Sequence, residues 1–220
     1  MAALAFGGLL AIAWLLPAGA ARADGTGTLA GTIYTSAGAT ITNSGWSMVS
    51  FGQNPGFTWG GTGSTTATTD YNLGTNWANP PVGAPPVSAG QAAVFGAAGS
   101  STVVVTAGPV TPDSWTFNAN ARSFAISGAA VNFNLAGAGG GIIDNANFGQ
   151  TISISNNIGE TVAGVQVQQL GNSTLILSGT NTYTGGTTIN AGTLQLGTLA
   201  TTGSIVGTVI NAGAFSIVNH

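Results

Sequence analysis

The chain contains no cysteine and no lysine, and its basic residues are Arg22, Arg122 and a single histidine, His220. Only 3% of its 220 residues are charged. Nucleic-acid binding depends on neutralising phosphates with lysine and arginine, which two arginines cannot supply. Attraction to anionic lipid headgroups is lost for the same reason. A Ser-His-Asp or Cys-His site would have no internal base, and zinc would lack its usual ligands. Calcium needs clustered oxygens, yet Asp24, Asp70, Asp113, Asp144 and Glu160 are widely scattered. No cofactor, no metal and no nucleic-acid partner is expected. The absence of cysteine suits a chain threaded unfolded through a narrow pore. Many exported bacterial proteins also lack it, so composition does not separate the two readings.

What fills the chain instead is 44% hydrophobic residues and 36 glycines, with abundant threonine, serine and asparagine. Disorder calls for low hydrophobicity and high net charge, the reverse of this. The length suits one or two domains with a real core. Threonine, valine and isoleucine favour strands, while glycine and asparagine supply turns. An all-β chain is expected.

Residues 4–16 form a nearly unbroken apolar run, broken by Pro17 and Gly19 and followed by Ala21-Arg22-Ala23. This matches the hydrophobic region and cleavage site of a secretory signal, with cleavage before Asp24. No basic residue precedes the run, which points to a start upstream or to an atypical signal. A retained membrane anchor is the competing reading, although the run falls short of the roughly 20 residues of a comfortable span. The expected division is a signal helix over 1–23, an irregular N-terminal cap over 24–90, and a repetitive region over 91–220. Asn79-Pro80-Pro81 and Ala84-Pro85-Pro86 mark the second boundary, because paired prolines do not sit in a central strand.

Beyond residue 90, short alternating segments recur. They include Thr102-Val-Val-Val-Thr106, Ser123-Phe-Ala-Ile-Ser127, Val131-Asn-Phe-Asn-Leu135 and Thr151-Ile-Ser-Ile-Ser155. Thr174-Leu-Ile-Leu-Ser178, Thr193-Leu-Gln-Leu196 and Ala214-Phe-Ser-Ile217 follow. Period-two alternation buries one set of side chains and exposes the other. Thr187, Ile189, Asn190, Leu194 and Leu196 are each followed 21 positions later by Thr208, Ile210, Asn211, Phe215 and Ile217. Leu175 and Leu177 precede Leu194 and Leu196 by 19, and Val103 to Phe124 and Val131 to Ile152 are again steps of 21. Periods of about 20 to 50 residues indicate solenoids or arrays. The expectation is a parallel β-helix of about six coils, each near 20 residues, stacked at about 4.8 Å. Leu175, Leu177, Ile189, Leu194, Leu196, Phe215 and Ile217 would form its inner wall, with Asn190 under Asn211. A β-sandwich with chance spacing is the alternative, and it stays open over 91–150.

Residues 171–197 read GNSTLILSGTNTYTGGTTINAGTLQLG. This block closely resembles the autotransporter-associated β-strand repeat, whose core is approximately L-x-L-S-G-x-N-T-Y-T-G-G-T-T-x-x-x-A-G-T-L. Residues 141–158 are similar to the usual lead-in, and Asn76-Trp77 followed by Pro85-Pro86, Ala93 and Phe95 is more weakly similar to the start of such passengers. The resemblance implies a β-helical passenger exported by type V secretion. It implies as partners the export machinery, an outer-membrane β-barrel translocator and a host or matrix surface. The implied location is the outer membrane, cell surface or exterior of a Gram-negative bacterium. It carries no enzymatic activity with it. No barrel-like stretch precedes His220, so a truncated or partial product is the expectation.

The leading function is therefore a non-catalytic structural stem that aids export and folding and contributes to adhesion. Two alternatives come from other classes. Trp46, Trp59, Tyr71 and Trp77 could present a sugar-stacking surface, or could instead close the end of the solenoid. Asp113, Asp144 and Glu160 could serve a two-carboxylate polysaccharide-cleaving β-helix. Their separations of 31 and 16 residues are not whole coils, and Asp113 and Asp144 also suit turns. Gly137–Gly141 is read as a coil corner and not as a phosphate loop, since no lysine follows.

Overall fold

A computed structural model describes residues 56–60, 68–78 and 84–218. Residues 1–53, with the signal segment and Trp46, lie outside the described residues.

Alternating segments of four or five residues make strands too short to bury a face alone, so each is completed by its neighbours. One sheet carries the parallel strands Thr102–Val105, Phe124–Gly128, Thr151–Ile154, Thr174–Leu177, Thr193–Leu196 and Ala214–Ile217, in spatial order along the chain. The other stacks Gly56–Trp59, Ala92–Phe95, Ser114–Phe117, Gly137–Asp144, Val165–Gln169, Thr187–Ile189 and Val209–Asn211, with Trp77–Ala78 antiparallel at its edge. Val131–Phe133 and Ile158–Glu160 pair as a short third side. The result is an all-β parallel solenoid of about five turns, about 23 residues apart.

Register turns the alternation into columns. In the first sheet Phe124, Ile152, Leu175, Leu194 and Phe215 are successive partners, as are Val103, Ile126, Ile154, Leu177, Leu196 and Ile217. Leu175, Leu177 and Leu194 are fully buried and Leu196 nearly so, which accounts for the absence of charge along this wall.

Four particulars differ from the sequence expectation. Phe215 and Ile217 stand in the columns but are 37% and 59% exposed, because the strand that carries them is the last in its sheet. The Thr187–Ile189 strand pairs with Val209–Asn211 at a step of 22, so Ile189 and not Asn190 meets Asn211. A one-residue slip exchanges the faces of a strand, and Ile210 accordingly points outward at 64% exposure. Val103 pairs with Ile126 and not Phe124, while Val131 pairs with Ile158 and not Ile152. Finally, Gly137–Gly141 is not a corner. It lies within the strand Gly137–Asp144, whose register against Val165–Gln169 shifts between Val165 and Gln166.

Candidate functional site

The described aromatic residues of the N-terminal stretch are drawn into the core. Trp59 (1% exposed), Tyr71 and Trp77 (both 0%) pack against Phe95 and Trp115, with Trp59 and Trp77 rings 5.0 Å apart edge to face. Their polar atoms are all used inside. Trp59 Nε1 donates to the Ser100 carbonyl (2.9 Å), Trp77 Nε1 to the Tyr71 carbonyl (2.7 Å) and Trp115 Nε1 to the Tyr71 hydroxyl (3.0 Å). Tyr71 Oη donates in turn to the Pro86 carbonyl at 2.7 Å. Burial pushes the Tyr71 hydroxyl far above its ordinary range, with the Trp115 bond opposing. These rings offer no open face to a sugar; they fill the core beside the first strands.

The second sheet has an interior column that changes from apolar to polar midway. Its successive partners are Phe95, Phe117, Asp144, Gln169, Ile189 and Asn211. Asp144 and Gln169 are both 0% exposed. The Asp144 carboxylate accepts from the Ala146 N–H at 2.8 Å and from the Ser173 hydroxyl at 2.7 Å. Gln169 Nε2 donates to Ser173 Oγ (3.0 Å) and to the Gly171 carbonyl (2.9 Å), and Gln169 Oε1 has no partner among the described residues. Burial raises the Asp144 pKa, and its hydrogen bonds from Ser173 and Ala146 only partly offset this.

Asp144, expected at a turn, instead ends the strand Gly137–Asp144 and is buried. It has no access to a glycosidic bond. Phe117 pairs with Asp144 and Ser114 with Gly141, which sets Asp113 roughly 13 Å away along the strand direction. Glu160 is elsewhere again, at a corner. Its carboxylate accepts from the Thr184 hydroxyl (2.6 Å) and from the backbone N–H groups of Val165 (3.0 Å), Gly164 and Thr184 (both 3.1 Å). Partial burial pushes its pKa up, but these four bonds outweigh it and hold the group below its ordinary range. The three carboxylates do not converge, and no group of three potential metal ligands occurs among the described residues.

The stretch from Ser178 to Gly192 supplies the corners between the two sheets. Asn181, 1% exposed, accepts from the Ile158 N–H (3.1 Å) and donates to the Ser204 carbonyl (2.7 Å), tying three coils. Tyr183 is fully buried with its hydroxyl 2.6 Å from Thr187 Oγ1, and burial pushes its pKa up to about 12 against that bond. A Cβ on Gly179 would lie 2.2 Å from the Asn156 carbonyl oxygen. One on Gly192, where φ is +61°, would lie 2.3 Å from that of Ser173. Glycine is required at both for the coils to close on each other.

This stretch lies within residues 167–196, which match the family described as passenger-associated-transport-repeat. Over 55 residues the chain is also 54% identical to the adhesin BmaC autotransporter of Brucella suis biovar 1 (strain 1330), covering 25% of this chain and 2% of that protein. The chain thus matches only a small part of that relative's length. No solved structure gives a significant match. The repeat, the solenoid that it joins and the autotransporter relative agree with an autotransporter passenger.

On the outer face of the first sheet, a shallow groove of about 580 Å³ runs beside the turn carrying Phe148. Phe148 is 87% exposed, the largest value among the exposed large apolar residues described. Sequence reasoning passed over it, because Asn147-Phe148-Gly149 belongs to no alternating segment. Its signal was that position: an aromatic at a turn, outside the alternation that would bury it. Asn181, Tyr183, Ser173 and Gln169 were also missed as structural residues, since a buried polar corner has no period of its own.

Proposed function

We infer that the chain is a non-catalytic structural stem of a secreted or surface-displayed autotransporter passenger that aids its own export and folding. Support comes chiefly from one observation, the unbroken register of the Ile152, Leu175, Leu194 column across adjoining coils. Each added strand completes the hydrogen bonds of the previous one and covers its inner wall, so folding advances coil by coil. Such accretion supplies direction to a chain emerging unfolded from a pore. The partners in this reading are the export machinery and an outer-membrane β-barrel translocator, and the location is the surface or exterior of a Gram-negative cell. The adhesin name of the Brucella relative favours a contribution to adhesion at a host or matrix surface.

The reading is tested by fusing the chain ahead of an outer-membrane translocator barrel and measuring its protease accessibility on intact cells. Leu175→Asp and Leu194→Asp, each placing a charge in the column, are expected to reduce surface display several-fold at equal synthesis. Unchanged display would contradict a role for coil stacking in export.

A further inference from the structure

Much of the outer surface of the described residues carries small polar side chains and little charge. The groove at Phe148 departs from it. Thr151, Thr174 and Thr193 are mutual partners in three successive strands, so their side chains repeat along the rod at about 4.8 Å. Their neighbours Ile152, Leu175 and Leu194 are fully buried, which turns all three threonines outward into the groove. Gln150 and Asn172 line the same groove.

The polar groups there are largely unspent. Gln150 Oε1 accepts from Ser123 Oγ at 3.2 Å, leaving its Nε2 donors directed to no other described residue. The three threonine hydroxyls and the Asn172 amide likewise make no side-chain bond to the rest of the described protein. No Asp, Glu, Lys or Arg lines the groove. Phe148 adds the one large apolar surface, a ring left in solvent on a turn whose next residue, Gly149, has φ +83°.

An aromatic face beside a row of uncharged donors and acceptors suits a particular class of ligand. A pyranose ring has an apolar C–H face that stacks on an aromatic ring and an edge of hydroxyls that both donate and accept. Threonine hydroxyls and carboxamides match that edge, because each can do both. A charged ligand would find no counter-ion. An extended peptide would seek free backbone donors and acceptors, but these three strands are already paired on both sides.

We propose that this groove is a binding site for a neutral oligosaccharide, with Phe148 as the stacking platform and Gln150, Asn172 and the Thr151–Thr174–Thr193 row as the hydroxyl-reading edge. The site goes beyond the stem reading and stands apart from it: a stem could lack such a site, and the groove could bind sugar whether or not stacking drives export.

The full chain is applied to an array that carries neutral hexose and N-acetylhexosamine oligosaccharides beside sialylated and sulfated ones. Hits are measured by calorimetry. Binding to a subset of the neutral glycans is expected, weakened at least tenfold by Phe148→Ala and by Phe148→Leu, and several-fold by Thr174→Val. Phe148 is exposed, so these variants should keep the parent's circular dichroism and thermal midpoint. Four results would overturn the proposal: no glycan bound; preference for the charged glycans; binding indifferent to Phe148→Ala; or glycan binding kept by Phe148→Leu, which would show that ring stacking does not hold the sugar.

Discussion

Leu194 and Phe215 are register partners in neighbouring coils, yet the first is fully buried and the second 37% exposed. The same column position therefore has two energetic values, set by whether a further strand lies over it. Leu194→Ala should cost about 2–5 kcal/mol, the range for a buried leucine truncation. Phe215→Ala should cost much less, about 1 kcal/mol, because its ring surface is already partly in water. Urea denaturation of the two variants checks this, and equal losses would mean that burial does not control the column.

Asp144 contributes a stability that depends on pH with a definite sign. Its pKa is raised by burial, so the folded state binds its proton more tightly than the unfolded chain does. Stability from this group is present below the ordinary aspartate value of about 3.9 and declines as pH rises through the raised folded value. Asp144→Asn removes that decline, and its amide adds a donor beside the unpaired Gln169 Oε1. Its thermal midpoint should exceed the parent's at pH 7, with the gap shrinking toward acid pH. Asp144→Ala should instead destabilise, since the Ala146 N–H and Ser173 hydroxyl lose their acceptor at about 1–3 kcal/mol each.

Glu160 runs the other way. Its depressed pKa means that its stabilisation is present above the ordinary glutamate value of about 4.3 and lost as pH falls through the lower folded value. Glu160→Gln should lower the thermal midpoint at pH 7 by a few degrees, and the gap between the two proteins should shrink as pH falls through the depressed folded value. A difference that persists unchanged in acid would show that the carboxylate's charge is not what binds Thr184 and Gly164.

Gly179→Ala should be among the most damaging single-methyl additions. The new Cβ meets a backbone oxygen at 2.2 Å, and neither coil can move without breaking its ladder. A loss of about 3 kcal/mol or more is expected. Gly90→Ala is the contrast: nothing lies within 4 Å of its Cβ, and only the strain of φ +79° remains. Chemical denaturation should separate the two by at least about 1 kcal/mol.

The architecture was legible where residues alternate and repeat without insertion. Leu175 and Leu177 read directly onto Leu194 and Leu196 at 19 residues, and those onto Phe215 and Ile217 at 21. Matching letters failed where loop length varied. Thr187 resembles Thr208, but its strand partner is Val209, and the bond from the Thr187 N–H to the Thr208 carbonyl is the parallel-ladder bond of that register. Val103 looks like the partner of Phe124, but its partner is Ile126, a step of 23. Trp59 and Trp77 were legible as aromatics of one stretch, whereas their burial was not: the strand carrying Trp59 pairs in parallel with Ala92–Phe95, Phe57 meeting Ala93 36 residues on. Phe148 was invisible for the opposite reason: exposure at a turn leaves no periodic trace.

Stacking of equivalent positions along the rod underlies every reading above, and a short cross-link measures it. The chain has no native cysteine, so the double substitution Ile176→Cys, Gln195→Cys creates an unambiguous pair at partner positions on the outer face. A thiol cross-linker of roughly 5 Å, the spacing of adjacent strands, should join them rapidly in the folded chain. It should not join Ile176→Cys to Thr188→Cys, which belongs to the other sheet. Efficient joining of the second pair, with none of the first, would contradict the columnar arrangement and the function drawn from it.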